Sequence, residues 1–168
     1  TDYYAFCDQD DVWDDDKLLI AVTELDDMPK EKPAMYYCGQ RLVDENLKLI
    51  STHKIASDRS AHTNFLISNV AGCTAVFNRS LVDAVNSAEP DFILMHDSWL
   101  FKVCLALGGS YFADSAAHIN YRQHGNNVAG LNSGIKGKLR QTKRYLDVFE
   151  IQKQCQSLCT VNRRYPLQ

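Results

Sequence analysis

The stretch YYAFCDQDDVWDDDKL, residues 3–18, decides how the rest of the chain is read. It begins as an apolar run, Tyr3 to Cys7, with the character of a short buried strand, and then sets six aspartates into the nine positions from 8 to 16. Like charges at the mouth of a strand repel, and two carboxylates in one site push one pKa upward unless a cation restores the case for ionisation. In extended chain, residues two apart project to the same side, so Asp8 and Asp10 face one way and Asp11 the other. A few closely spaced oxygen ligands suit Mg²⁺ or Mn²⁺, and Mg²⁺ commonly completes its shell with waters and substrate phosphates. The pattern therefore predicts a diphosphate held through a divalent ion. Asp14, Asp15 and Asp16 have a plainer reading, as the cap and first turn of a following helix, where carboxylates suit the positive end of the dipole. Leu18, Leu19, Val22 and Leu25 supply that helix with an apolar stripe, and Pro29 and Pro33 close it.

Outward from this segment the order is mixed α/β. Ala34 to Cys38 reads as a strand, and RLVDENLKLI as a strand, a turn at Asp44 to Asn46 and a second short strand. Residues 51–63 are polar and read as a mobile loop; NFLISNV is a short helix or strand, and GCTAVFN a strand. Helices are expected over about Arg79–Ala88 and Asp97–Leu107, with strand-like segments around Tyr111 and at Ile119 to Tyr121. From Ser133 one long helix is expected, with Ile135, Leu139, Leu146 and Phe149 at helical spacing among Lys136, Lys138, Arg140, Lys143 and Arg144. That helix is either solvated and packed by one face, or a basic amphipathic element resting on an anionic membrane surface or a partner.

With 168 residues, 45% of them hydrophobic and 23% charged, the chain has material for one ordinary domain with a real core. No apolar run is long enough to span a membrane and the first residues lack the pattern of a secretory signal, so the expected compartment is the cytosol. The six cysteines are scattered through apolar segments and read as ordinary buried thiols; no CxxC pair offers a zinc site. The net charge of −3 hides a polarity: residues 1–31 carry eleven acidic and two basic side chains, residues 132–168 two acidic and eight basic. Basic residues without interleaved aromatics, and an acidic end that repels phosphate unless a cation intervenes, argue against a nucleic-acid binder. Asn78-Arg79-Ser80 fits a glycosylation sequon, incidental in a cytosolic setting.

Three rivals compete for Asp8 and Asp10. An EF-hand loop fails, because Trp13 stands where the turn glycine is required and no glutamate closes the loop. A haloacid dehalogenase-like phosphatase fits a strand ending in DxDxV, with Asp8 as nucleophile and Asp10 as acid, but needs a later acidic pair and a supporting lysine that the sequence does not place. In the third, the aspartates only cap and solubilise a helix. Asp97 divides similarly, since Leu100, Val103, Cys104 and Leu107 form a helical stripe behind it and aspartate is a favoured N-cap. Trp13 and Trp99 either stack on a sugar or pack.

FCDQDDVWDDDKL resembles the DxD region of family-2 glycosyltransferases of the GT-A fold, in particular their bacterial rhamnosyltransferase-like members. HDSWL, residues 96–100, resembles the motif that supplies the catalytic base; YRQHGNNVAG, residues 121–130, a segment late in the same domain; and GCTAVFNRSL, residues 72–81, the strand and turn before the acceptor site. The resemblance implies a GT-A-type mixed sheet flanked by helices, and a metal-dependent, single inverting displacement from a nucleotide-diphosphate sugar, of which dTDP-rhamnose is one. The acceptor is a hydroxyl of a growing bacterial polysaccharide or lipid-linked glycan. It implies that Asp8 and Asp10 contact the donor's ribose or diphosphate and an Mg²⁺ or Mn²⁺ ion, that Asp11 shares in the ligand work, that Asp97 is the general base across the sugar from the metal, and that His124 approaches the metal or diphosphate from a C-terminal loop.

In that family the DxD follows strands that hold the base and ribose, whereas here Asp8 is the eighth residue. The resemblance thus implies that residues 1–131 are the C-terminal portion of a catalytic domain without its N-terminal nucleotide-binding strands, inactive alone, and that residues 132–168 form a basic helical extension, a candidate for peripheral contact with the inner face of the cell membrane. The phosphatase, and a truncated non-catalytic domain that binds a glycan or a partner, stand as the alternatives.

Overall fold

The computed structural model describes residues 2–55, 65, 70–87, 89–123 and 148–166. Within them a mixed sheet is flanked by four helices. The elements run β1 (Tyr3–Ala5), β2 (Val12–Trp13), α1 (Lys17–Asp26), β3 (Ala34–Val43), β4 (Leu49–His53), a 3₁₀ turn (Gly72–Thr74), β5 (Val76–Asn78), α2 (Arg79–Asn86), α3 (His96–Ala106), β6 (Ser110–Arg122) and α4 (Val148–Arg164). The sheet order is β1-β5-β3-β6-β2, with β4 paired to β3. Only β3 and β6 are parallel; the other pairs are antiparallel.

β3 is the spine. Successive side chains of a strand point to opposite faces, and both faces of β3 are covered, which is why AMYYC reads as a continuous apolar run. Met35 and Tyr37 join Phe77, Leu81, Trp99, Phe101, Val103, Val161 and Tyr165 on the side of α2, α3 and α4. Ala34, Tyr36 and Cys38 join Ala21, Leu25, Cys73, Val76 and Ile119 on the side of α1. The hairpin from β3 to β4 turns where expected: Asp44 accepts from the amides of Asn46 and Lys48, and Leu47 takes a left-handed φ of 63°. Behind α3, Gly108 at φ 64° lets the chain leave the helix for β6.

Several elements differ from the sequence reading. β1 stops at Ala5, and Val12 and Trp13 form a strand of their own against Ile119 and Asn120. α1 starts at Lys17 with Asp16 at the N-cap position, as expected, but the Asp16 side chain makes no capping hydrogen bond, and Asp14 and Asp15 precede the helix rather than entering its first turn. The helix buries Lys17, Ala21 and Leu25, spaced by four, and leaves Leu18 and Leu19 exposed. The segments near Tyr111 and Ile119 are one long strand, bent where its register with Cys38 and Gly39 shifts. Residues 51–53 belong to β4, and most of the expected loop, nearly all of NFLISNV and residues 133–147 of the expected basic helix lie outside the described residues. α4 packs by Val161 and Tyr165 on the core, and Arg163 and Arg164 each reach Asp91 at 2.8 Å. All six cysteines are free, but Cys7, Cys155 and Cys159 are exposed rather than buried. Among the described residues no helix is long and apolar enough to cross a membrane.

Asn78 joins three segments. Its Oδ1 caps α2 by accepting from the Leu81 amide at 3.0 Å and accepts from the Ala34 amide at 3.0 Å, while its Nδ2 donates to the Lys32 carbonyl at 2.7 Å. That buried, satisfied amide is no glycosylation acceptor. Replacing a cap costs about 1 kcal/mol, and stranding buried backbone groups about 1–3 kcal/mol more. Asn78→Ala is accordingly expected to lower unfolding stability by about 2–4 kcal/mol in a urea titration; a loss under about 0.5 kcal/mol would show that the three bonds are dispensable.

Candidate active site

The acidic loop leaves β1 and is held from below by the end of β6. Asp11 turns back on Asp8, its amide donating to the Asp8 carbonyl at 3.4 Å. Arg122 fixes the loop twice: its amide donates to Asp11 Oδ1 at 3.0 Å and its Nε to the Asp10 carbonyl at 2.9 Å. A third donation, from Nη1, reaches the Glu45 carbonyl in the β3–β4 turn. Because the loop turns, Asp8 comes together with Asp11, and both with Cys73; one ligand-type atom from each lies within 4.8 Å of the others. Asp10 is exposed and stands outside this group.

Asp11 is the half-buried member; its Oδ2 is buried, and the Cys73 thiol is the hydrogen-bonding side chain beside the carboxylate. Burial pushes its carboxyl above the usual carboxylate range, against the Arg122 amide, with the charges of Asp8 and Asp10 adding to the rise. Burial also pushes the Cys73 thiol up, so it stays protonated and is a poor ligand for a hard cation. The donor set that remains is Asp8 and Asp11, two oxygen ligands open to solvent on one side. A buried carboxylate oxygen served only by a weak thiol donor, beside a second carboxylate, fits Mg²⁺ or Mn²⁺, which take one or two carboxylates and fill the shell with water and phosphate.

Asp97, in the first turn of α3, is 9% exposed. Its Oδ2 accepts from the Gly72 amide at 3.0 Å and its Oδ1 from the Ser98 amide at 2.6 Å, which fixes the carboxylate in one orientation. Gly72 and Cys73 are consecutive residues of the 3₁₀ turn, so one turn touches both acidic centres. A Cβ at Gly72 would lie 2.7 Å from His96 Nε2, so a side chain there would displace that ring. The His96 ring in turn stands edge-on to Phe6, with centroids 4.7 Å apart, beside the acidic loop.

His124 lies outside the described residues. Trp99 is 2% exposed against Tyr165 and packs; Trp13 carries the Lys17 ammonium over its ring. Asp14, Asp16 and His118 form a second group of ligand-type atoms, but Asp14 is already paired with Arg41, and His118 also faces Asp114 at 3.2 Å. Sequence reasoning did not single out Gly72, Cys73, Lys17, Arg122 or Tyr121. Tyr121 lies close enough for its hydroxyl, pushed up to about 12 by burial, to feel Cys73 and the three aspartates as well. The only signal for any of these was membership in the quoted motifs; nothing local marks a turn that must meet two distant loops.

An α/β sheet that sets two carboxylate centres against one turn suits metal-assisted or acid–base chemistry. No family model matches the chain. It is 28% identical over 154 residues to the dTDP-rhamnosyl transferase RfbG of Shigella flexneri, an alignment covering 83% of this chain and 49% of that protein. The chain thus spans about half the length of the curated relative it matches, and the similarity supports a relationship to glycosyltransferases.

Gly72→Ala keeps the amide that holds Asp97 but forces the His96 ring away. The expected result is a stability loss of about 1 kcal/mol, since an exposed ring can yield, together with shifted His96 ring resonances in NMR as the Phe6 contact is lost. Unchanged His96 resonances would contradict the close contact.

Proposed function

We propose that the chain is the C-terminal portion of a GT-A-type catalytic domain of family-2 glycosyltransferases, residues 1–131, followed by a helical extension, residues 132–168. In this reading the complete protein transfers a sugar with inversion from a nucleotide-diphosphate donor to a hydroxyl of a glycan acceptor. The observation that carries it is the Gly72–Cys73 turn, which sets a fixed carboxylate, Asp97, on one side and an oxygen donor pair, Asp8 and Asp11, on the other. The name of the similar Shigella protein points to dTDP-rhamnose as the donor. Neither a phosphatase nor a non-catalytic binding module gains a supporting observation of this kind.

Each residue has a task. Asp8 and Asp11 would hold Mg²⁺ or Mn²⁺, with Asp10 serving the same ion or the donor's diphosphate or ribose; the resemblance assigns His124, outside the described residues, to the ion or diphosphate as well. The ion supplies Lewis-acid stabilisation of the departing diphosphate. Asp97, held by two amides, receives the proton of the acceptor hydroxyl as that oxygen attacks; a positioned base of this kind contributes about 10²- to 10⁴-fold. Arg122 keeps the acidic loop folded onto the end of β6 so that its carboxylates converge despite their repulsion.

Two substitutions in the complete protein separate the roles. Asp97→Asn is expected to lower kcat about 10²- to 10⁴-fold while leaving the Kd for dTDP-sugar within about threefold, about 0.7 kcal/mol on the affinity scale; a collapse of donor affinity instead would remove Asp97 as the base. Asp8→Asn is expected to abolish Mn²⁺ binding in calorimetry and Mn²⁺-dependent transfer with it; transfer near wild type would remove the metal assignment.

A further inference from the structure

The chain from Asp91 runs through Phe92, Ile93, Leu94 and Met95 into His96 and Asp97 without another charged side chain before His96. Met95 takes the N-cap position of α3, and its carbonyl accepts from the Trp99 amide at 2.9 Å. Ile93 and Met95 are each 43% exposed. With consecutive Cα atoms 3.8 Å apart, the Met95 Cα lies within about 7 Å of that of Asp97. Asp91 is held from the far end of the chain. Arg163 Nη1 donates to its Oδ2 and Arg164 Nη2 to its Oδ1, both at 2.8 Å. These arginines end α4, and the next residue, Tyr165, is buried, packs on Trp99 with ring centroids 6.1 Å apart, and donates its hydroxyl to the Ala84 carbonyl at 2.9 Å. One turn and more back along α4, Ser157 accepts from the buried Lys102 Nζ of α3 at 3.3 Å. The end of α4 is thus pinned to α2 and α3, and from that base two guanidinium groups take the two oxygens of one carboxylate. All three side chains are exposed, so the pairs add little to overall stability. What a two-point grip on a carboxylate supplies is geometry.

We propose that Asp91–Met95 is the acceptor rim of the site, with Ile93 and Met95 offering an apolar contact to an uncharged sugar, and that Arg163 and Arg164 hold this rim beside Asp97 through Asp91. The inference rests on the assignment of Asp97 as the base. An acceptor hydroxyl must come within hydrogen-bond reach of that carboxylate, so the exposed side chains two and four positions before it are among those the acceptor meets. The chemistry of the rim suits such a ligand: sugar rings carry apolar C–H faces, and binding sites pair apolar lining with a few placed polar groups. Asp91, whose charge the two guanidinium groups take up, does not repel or attract the acceptor, whereas the donor's diphosphate is left to the acidic loop on the other side of the Gly72–Cys73 turn. Arg163 and Arg164 are positioning residues, and α4 becomes a working part of the catalytic unit.

The test uses the complete protein with dTDP-rhamnose as donor and octyl rhamnoside as acceptor, together with amide hydrogen exchange on the same samples. The variants are Asp91→Asn, the Arg163→Gln/Arg164→Gln pair, the three combined, and Ile93→Ser/Met95→Ser. Releasing the grip should speed exchange at Ile93 to Met95 and raise the acceptor KM about fivefold, with kcat and the Kd for dTDP within about twofold and the thermal midpoint within about 3 °C. The triple variant should be no worse than Asp91→Asn, because each removes the same grip; effects that multiply would show the arginines acting elsewhere. Ile93→Ser/Met95→Ser should raise the acceptor KM about tenfold and leave the Kd for dTDP unchanged. Unchanged exchange in the Asp91 and arginine variants, or an acceptor KM within twofold of wild type in Ile93→Ser/Met95→Ser, would overturn the proposal. A failure of Ile93→Ser/Met95→Ser to fold would also overturn it, by showing that these side chains are covered in the complete protein; so would dTDP release that octyl rhamnoside does not raise. Those results leave Asp97 as the base, whereas an Asp97→Asn protein as active as wild type would remove that assignment and this proposal together.

Discussion

The amide of Gly72 donates to Asp97 while its neighbour Cys73 lies against Asp8 and Asp11, and the site depends on that adjacency. The carboxylates belong to segments nearly ninety positions apart in sequence, one after β1 and one at the start of α3. A single 3₁₀ turn, leading into β5, lies against both. β5 is in turn fixed by pairing with β1 on one side and β3 on the other, so the loop that follows β1 and the turn that precedes β5 meet at the same end of the sheet. The buried spine of β3, covered on both faces, makes that end rigid enough for the placement to matter.

Charge is the second constraint. An acidic loop of this density would open in water without a means of holding it, and the protein supplies backbone and side-chain donors from Arg122 and the Arg41 guanidinium for Asp14. Among the outer aspartates, Asp14 is balanced locally by Arg41. Asp8 and Asp11 are the pair nearest the Gly72–Cys73 turn. A buried carboxylate oxygen with only a weak thiol donor beside it, as Asp11 Oδ2 has in Cys73, invites a functional explanation.

Much of the fold was legible where the signal is local. The strand character of Ala34 to Cys38, the Asp44 turn, and the helices from Arg79 and near Asp97 all follow from patterning or turn chemistry within a few residues. What was hidden depends on long-range pairing. Val12 and Trp13 become a strand only because β6 lies beside them, and no two-residue segment among aspartates announces that. β6 reads as two pieces because Asp114 and Ser115 interrupt its apolar content at the bend. α1 turns Lys17, not Leu18 or Leu19, toward the core, an inversion of the usual preference, with the ammonium set over the Trp13 ring. Within the site, the strand alternation that pairs Asp8 with Asp10 holds only for extended chain; the turn from Asp8 to Asp11 brings those two together instead. Asp97 and the acidic loop stood out in the sequence as motifs, but the turn that joins them did not, because its chemistry is carried by a backbone amide and an absent Cβ.

The most direct test of the account is to locate the ion. Crystals of the complete protein grown with Mn²⁺ and dTDP, measured for anomalous scattering, should show a single manganese peak within coordination distance of Asp8 and Asp11, beside the Gly72–Cys73 turn and on the side that Asp97 faces. A peak at Asp14, Asp16 and His118, or dTDP bound with no manganese near Asp8 and Asp11, would contradict it.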